Sequence, residues 1–270
     1  MDKRIGFIGA GNMGFAMINS ISKSGIISAG DILVYDIDKK RLLELEENIG
    51  VCTVQSEREL TEKSDIIILA VKPNIIKTTL DRIKTGMNDK KILISVAVGI
   101  PIKFYKDILG QDKKVVRTMP NTPALVGEGM TLICHEGISE AEEQMIKNIF
   151  GCFGRVELLD ENLMSEVTAV TSSSPAYVFM FIEAMADAAV LSGIPRELAY
   201  KLSAQAVLGS AKMVLETGKH PGELKDQVCS PAGTTIEAVS SLEKNKFRYT
   251  IIEAMDKCTK RALEIGKTYN

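Results

Sequence analysis

Arg4-Ile5-Gly6-Phe7-Ile8-Gly9-Ala10-Gly11-Asn12-Met13-Gly14 is the stretch that decides the fold. It starts as a short apolar strand and passes into G-x-G-x-x-G. Phe15–Ser22 then reads as a helix. In such a turn the first glycine allows the tight bend. The second lets a pyrophosphate approach the backbone, and the third lets helix and strand pack closely. The helix start offers free N–H groups to the anion. The run therefore predicts a strand–turn–helix at the head of a dinucleotide-binding sheet, with Gly9, Gly11, Asn12, Met13 and Gly14 at the cofactor. The plainer reading is an ordinary glycine turn.

Working outward, Asp31–Tyr35 is a second strand and ends at Asp36, 25 positions after Gly11. A carboxylate there normally accepts from the ribose 2′-hydroxyl of NAD and repels the 2′-phosphate of NADP. Lys39, Lys40 and Arg41 follow, either as a cradle for that phosphate or as a solvated first helical turn. Further apolar runs at Asp65–Val71, Lys91–Val98 and Lys114–Thr118 alternate with helical segments such as Lys39–Asn48 and Asn74–Thr85. Strand candidates at Met130–Cys134 and Val156–Leu159 flank a helix at Glu140–Phe150. Strand and helix alternating at this spacing predict a doubly wound parallel sheet of Rossmann type over residues 1–160. Ligands bind at the carboxyl ends of such strands. That adds Ala70, Val71, Lys72 and Pro73 to the expected cofactor contacts, together with the end of the next strand at Val96–Gly99.

Beyond residue 160 the period changes to that of helices. Tyr177, Phe181, Met185 and Ala189 recur four apart, and Phe179 and Met180 lie off that stripe. A helix apolar nearly all round needs burial, and a domain of about 110 residues covers it poorly alone. Residues 161–270 are therefore expected to form an all-helical domain that dimerises, with long helices also at Arg196–Thr217 and Arg248–Ile265.

Composition limits the function. In 270 residues, 33 Lys+Arg oppose 35 Asp+Glu, so there is no basic footprint for nucleic acid. The five Cys are scattered and only two His occur, which argues against a metal site or a disulfide scaffold and for a cytoplasmic protein. No run of about 20 purely apolar residues marks a bilayer span. His135 and His220 read as structural, and Arg117, Asn121 and Glu128 as candidates for the border of a cleft.

Two segments of the helical half stand out. In Thr171-Ser172-Ser173-Ser174-Pro175 the hydroxyls either face a polar substrate or mark a helix break. Cys229-Ser230-Pro231-Ala232-Gly233-Thr234-Thr235 precedes an amphipathic helix, with Ser230 a candidate cap and Pro231 suited to the first turn. Free N–H groups and hydroxyls at a helix start describe a small carboxylate site, or simply a capped helix.

These segments resemble the pyrroline-5-carboxylate reductases nearly end to end. The resemblance rests on G-F-I-G-A-G-N-M-G at 6–14, A-V-K-P at 70–73, R-T-M-P-N-T-P at 117–123, S-P-A-Y-V-F at 174–179 and H-P-G-E-L-K-D-Q-V-C-S-P-A-G-T-T at 220–235. It implies reduction of a cyclic imine to L-proline by hydride from NADPH or NADH. It implies nicotinamide contacts near Ala97, Gly99, Met119 and Asn121. It also implies a substrate site at Ser173, Ser230, Ala232, Gly233, Thr234 and Thr235, with Thr235 beside the ring nitrogen as the catalytic residue. The assembly implied is a homodimer through the helical domain, or a larger ring of dimers. The chain departs from the family pattern at Ser172 and Ser174, where glycine is usual, and at Asp36, where many relatives are neutral. The alternatives are a beta-hydroxyacid dehydrogenase-like enzyme acting on another imine or keto acid, and a non-catalytic dinucleotide-binding protein. The first uses a helical-domain lysine, and the nearest lysine downstream of the serine cluster is Lys201.

Overall fold

The computed structural model describes residues 3–269. The first 158 residues alternate as the sequence pattern requires. The elements are β1 (Ile5–Ile8), α1 (Asn12–Ser24), β2 (Ile32–Tyr35), α2 (Lys39–Ile49), β3 (Cys52–Thr53), α3 (Glu57–Lys63) and β4 (Ile66–Leu69). They continue as α4 (Ile76–Ile83), β5 (Ile92–Ser95), α5 (Ile102–Leu109), β6 (Lys114–Met119), β7 (Gly129–Glu136), α6 (Glu140–Gly151) and β8 (Gly154–Leu158). The sheet order is β3-β2-β1-β4-β5-β6-β7-β8. Its first six strands are parallel and reverse their order at β1/β4, as in a doubly wound nucleotide-binding sheet. The expectation of an all-parallel sheet needs correcting at one edge, where β7 runs antiparallel to β6. The 3₁₀ turn Thr122–Val126 reverses the chain there without a crossover helix.

The strands are apolar throughout because both faces are covered. Ile66 and Ile68 enter one core with Met17 and Ile18 of α1 and Phe150 of α6. Ile67 and Leu69 enter the other with Leu60, Leu80 and Tyr105 of α3, α4 and α5. Neighbouring residues of one strand thus feed opposite layers, as the two-residue period of a strand demands.

Five helices follow: α7 (Ser174–Leu191), α8 (Arg196–Thr217), α9 (Pro221–Val228), α10 (Thr234–Lys244) and α11 (Phe247–Gly266). The sequence reading divides the chain at 160/161. The compact units divide elsewhere: one runs through Ser173 and resumes at Cys258, and the other is Ser174–Lys257. Residues just after 160 are tied to the sheet unit. Glu161 accepts from the Ile102 N–H at 2.7 Å and pairs with Arg117 at 3.2 Å, and Met164 is fully buried. Tyr269 also belongs to this unit, edge-on to Phe104.

In the helical unit α7 and α8 pack together, and Phe181 meets Phe247 at a ring separation of 6.1 Å. Much apolar surface is left over. Phe179 is 62% exposed, Met180 70% and Leu202 51% within one chain. The continuous helical run Thr168–Leu191 is, by length and composition, able to cross a membrane, which corrects the expectation drawn from purely apolar runs. It carries Glu183 and Asp187 on its second half.

Candidate active site

The dinucleotide half is built at the carboxyl ends of β1, β2 and β4. Gly9 turns the chain with φ +99°, and a Cβ on it would lie 2.5 Å from the Ala70 carbonyl oxygen. A Cβ on Gly14 would lie 2.4 Å from the Gly9 carbonyl oxygen. Both glycines are required by close approach within the protein. Gly11 differs, since a Cβ there would meet nothing within 4 Å. Gly11 precedes α1, whose first N–H groups have no acceptor within the helix. Open space over a glycine at the positive end of a helix fits the pyrophosphate of a dinucleotide.

Beside it lies a cleft of about 540 Å³ lined by Gly9, Gly11, Asp36, Ala70, Val71 and Lys72. These are six of the residues the sequence assigns to the cofactor. The Asp36 carboxylate accepts from the Ala10 N–H at 2.6 Å and the Asp38 N–H at 2.9 Å. Lys39, Lys40 and Arg41 open α2, which Asp38 caps through the Lys40 and Arg41 N–H groups. Of the other expected residues of the turn, Asn12 is exposed and Met13 packs on the core. Pro73 starts a one-turn 3₁₀ helix.

Sequence reasoning missed the far wall of the cleft. There Arg82 pairs with Glu57 at 2.6 Å, and Glu57 and Tyr35 line the same wall. Burial, and then the Glu57 charge, push the Tyr35 hydroxyl above its ordinary value. No spacing marks these residues, because β2, α3 and α4 bring them together from three separate segments.

The four residues expected at the nicotinamide end do not line this cleft. Ala97 is buried, its N–H donating to Ser95 Oγ. Gly99 packs against the end of α11, where a Cβ would meet Ile265 at 3.0 Å. Met119 is buried with its sulfur 3.7 Å from Thr168 Oγ1. Asn121 is also buried: its amide donates to the Thr171 carbonyl at 3.0 Å and its oxygen accepts from the Met130 N–H at 2.9 Å. Those bonds hold the loop after β6, so both ends of the Asn121 side chain serve the fold. Arg117 is buried on Glu161, and Glu128 is exposed.

The serine cluster is neither a simple break nor a capped start. Thr168–Ser172 is a π-helical turn that runs directly into α7. Ser173 Oγ accepts from Cys258 Sγ at 3.2 Å, and the buried Ser172 Oγ has no hydrogen-bond partner. Both histidines are structural. His135 bonds Glu143 at 2.9 Å, and His220 caps α9 by accepting from the Gly222 N–H at 3.1 Å.

In the helical unit, α9 leads into the loop that the sequence assigns to the substrate. The Gly233 N–H donates to the Ser230 carbonyl at 3.0 Å and closes a turn. Ala232 sits in that turn with φ +56°, a left-handed conformation that costs an L-residue about 1–2 kcal/mol. The expected cap at Ser230 is corrected, because α10 starts three residues after Pro231. Its N-cap is Gly233, which has no side chain to bond the first turn. A Cβ on Gly233 would lie 2.3 Å from Ser230 Oγ, so the serine folds over the glycine. The N–H groups of Thr234, Thr235 and Ile236 are thereby left without an acceptor inside the helix. Thr234 is exposed and Thr235 half-buried. The arrangement suits a small carboxylate, with a hydroxyl beside it.

Comparison with known proteins agrees with this picture. Residues 161–265 match the family described as pyrroline-5-carboxylate reductase dimerisation. Residues 4–99 match the one described as NADP oxidoreductase, coenzyme F420-dependent. The chain is 48% identical over 269 residues to the pyrroline-5-carboxylate reductase of Escherichia coli (strain K12), covering 99% of this chain and 100% of that one. It is 41% identical to that of Methanosarcina acetivorans, over 98% of this chain and 99% of the relative. Among solved structures it resembles Plasmodium falciparum pyrroline carboxylate reductase with NADP bound, at TM-score 0.90 and 34% identity over 98% of each chain. The apolar surface of α7 and α8 thus lies within the segment that matches the dimerisation family. Fold, length and sequence agree from end to end, and the chain belongs to the pyrroline-5-carboxylate reductase family.

Proposed function

We propose that the protein reduces 1-pyrroline-5-carboxylate to L-proline, using a reduced nicotinamide dinucleotide, as the last step of proline synthesis. The observation that carries this reading is the start of α10. An N-cap without a side chain leaves anion-seeking N–H groups beside the Thr235 hydroxyl, in a chain that also has a dinucleotide turn. The first feature suits the substrate carboxylate and the second the cofactor pyrophosphate.

The dinucleotide, when bound, supplies the hydride. The rest is positioning. The first turn of α1 would hold the pyrophosphate over Gly11, and Asp36 the adenosine ribose. The turn Ser230–Gly233 and the N–H groups of Thr234 and Thr235 would fix the carboxylate and orient the ring. The imine nitrogen is basic and takes a proton from water. Its carbon then accepts hydride and an amine results, so no nucleophile and no metal is needed to balance the step. Thr235 orients the nitrogen through its hydroxyl. Orientation of this kind lowers the barrier by fixing the reacting geometry in advance.

The helical unit is read as the face that meets a second copy, and a ring of such dimers is the larger assembly proposed. The five free thiols favour a reducing, cytoplasmic setting. A beta-hydroxyacid dehydrogenase is disfavoured because the nearest downstream lysine, Lys201, is exposed on α8. The test is oxidation of NADH or NADPH by the purified protein with pyrroline-5-carboxylate, followed by absorbance. Rapid oxidation with proline as the product is expected. Dinucleotide binding without turnover would replace this reading with the non-catalytic one.

A further inference from the structure

The adenosine end of the cleft is electrically specific. A 2′-phosphate distinguishes NADPH from NADH and carries close to two negative charges at neutral pH. It would come to the carboxyl end of β2, where the ribose of a dinucleotide sits. Asp36 occupies that position on the wall of the cleft. Its carboxylate is fixed from two sides, by the Ala10 N–H at 2.6 Å on Oδ2 and the Asp38 N–H at 2.9 Å on Oδ1. It cannot swing away without breaking one bond to the glycine turn and another to the lead-in of α2. Each of its oxygens keeps a lone pair for a hydroxyl donor.

The usual counterweights are engaged elsewhere. The first turn of α2 is the nearest set of backbone donors for a phosphate, and it is already capped by Asp38, a second carboxylate. Arg41 lies over the Phe15 ring at 5.8 Å, Lys40 pairs with Glu44 at 3.9 Å, and Arg82 pairs with Glu57 at 2.6 Å. Glu57 is a second carboxylate on the wall of the same cleft. Two further lysines border the region: Lys72 lines this cleft, and Lys39 the hollow on the other side of Asp36. Both are exposed and on flexible stems, whereas the Asp36 carboxylate is held in place by two backbone N–H groups.

We infer that this chain takes NADH in preference to NADPH, with Asp36 as the residue that selects a free 2′-hydroxyl and rejects a 2′-phosphate. The inference rests on reading the cleft as the dinucleotide site. The experiment measures binding of NADH and of NADPH to the protein without substrate, by calorimetry, so that it does not depend on turnover. The expected result is a Kd for NADH at least tenfold below that for NADPH. Asp36→Asn keeps the shape and one acceptor and removes the charge. It should bring the two constants within threefold, mainly by tightening NADPH. Asp38→Asn preserves a capping oxygen and should narrow the ratio by a smaller factor. Thermal melts of each variant report on folding, and the wild-type ratio stands if a variant fails to fold. Wild-type protein that binds NADPH as tightly as NADH overturns the inference and leaves the dinucleotide site intact. An unchanged ratio in folded Asp36→Asn overturns the role of Asp36. Binding of neither dinucleotide overturns the inference together with the reading of the cleft.

Discussion

Two glycines of one turn should answer the same substitution in opposite ways. In Gly14→Ala the new Cβ would lie 2.4 Å from the Gly9 carbonyl oxygen, and contacts below 3.0 Å do not persist in proteins. The first turn of α1 must retreat by at least 0.6 Å from a strand end held by the Gly9 N–H bond to the Tyr35 carbonyl at 2.9 Å. Overpacking of this kind costs about 1–3 kcal/mol. In Gly11→Ala the Cβ meets no protein atom, and the backbone at φ −58°, ψ −172° is open to alanine. Alanine restricts the unfolded chain, which stabilises by about 0.4–1 kcal/mol, but it is a poorer N-cap than glycine by about 0.5–1 kcal/mol. The net change in stability should stay within about 0.5 kcal/mol. Binding should reverse the order of damage. The methyl on residue 11 fills the space assigned to the pyrophosphate, and a loss of about 100-fold in NADH affinity, about 2.7 kcal/mol, is expected. Urea unfolding gives the first quantity and calorimetric titration the second. Gly11→Ala protein that binds NADH like the wild type would refute the placement of the pyrophosphate. Gly14→Ala protein as stable as the wild type would refute the steric account of the turn.

Thr235→Ala should lower kcat by about 100-fold, the loss expected when a reacting group is misplaced by about 1 Å, and leave the Kd for NADH within about twofold. Equal turnover in steady-state kinetics would remove Thr235 from the mechanism. Met180→Glu places a charge on the most exposed apolar position of the first turns of α7 and should yield monomers in sedimentation, where a persistent dimer would place the interface elsewhere. Burial pushes the Cys134 thiol up to about 12. The thiolate is the reactive form, so below that pH the folded protein holds Cys134 as the inert thiol. At pH 8 iodoacetamide should modify the exposed Cys52 and spare Cys134, as read by peptide mass mapping. Early labelling of Cys134 would contradict its burial.

The sequence made the parallel part of the sheet legible because strand burial is written locally. Ile66-Ile67-Ile68-Leu69 is apolar on both faces, and only a doubly covered strand needs that. Asp36 was legible for the same reason, as a fixed distance from a turn. What stayed hidden depends on contacts distant in sequence. The direction of β7 does not alter its apolar pattern, since antiparallel pairing buries the same side chains. Asn121 looks like a cleft residue in Met119-Pro120-Asn121-Thr122, yet its partners are Thr171 and Met130. Ser230 before Pro231 has the form of a cap, yet the left-handed Ala232 inserts a turn and moves the helix start to Thr234. The compact units divide after Ser173 because Glu161 and Met164 pack with the sheet unit, through an ion pair and a buried contact that no local pattern announces.

The scarcity of acid–base side chains becomes intelligible once the chemistry is set against it. Both histidines are used in the fold, one on Glu143 and the other at the start of α9. A reaction needing a strong general acid would be poorly served by what remains near Ser230–Thr235. Hydride addition to a protonated imine needs no such group, because water supplies the proton before the step and the cofactor supplies the electrons. What it does need is a fixed carboxylate and a fixed ring; in the proposed site the uncapped backbone N–H groups would hold the first and the Thr235 hydroxyl would orient the second. A glycine cap that weakens α10 as a helix is therefore consistent with a site. The same trade appears at Gly11, where a side chain at the helix start would supply a cap and close the space the phosphate requires. A glycine N-cap without a side chain thus stands in each unit, at Gly11 and at Gly233, and the proposed reaction has two anions to hold.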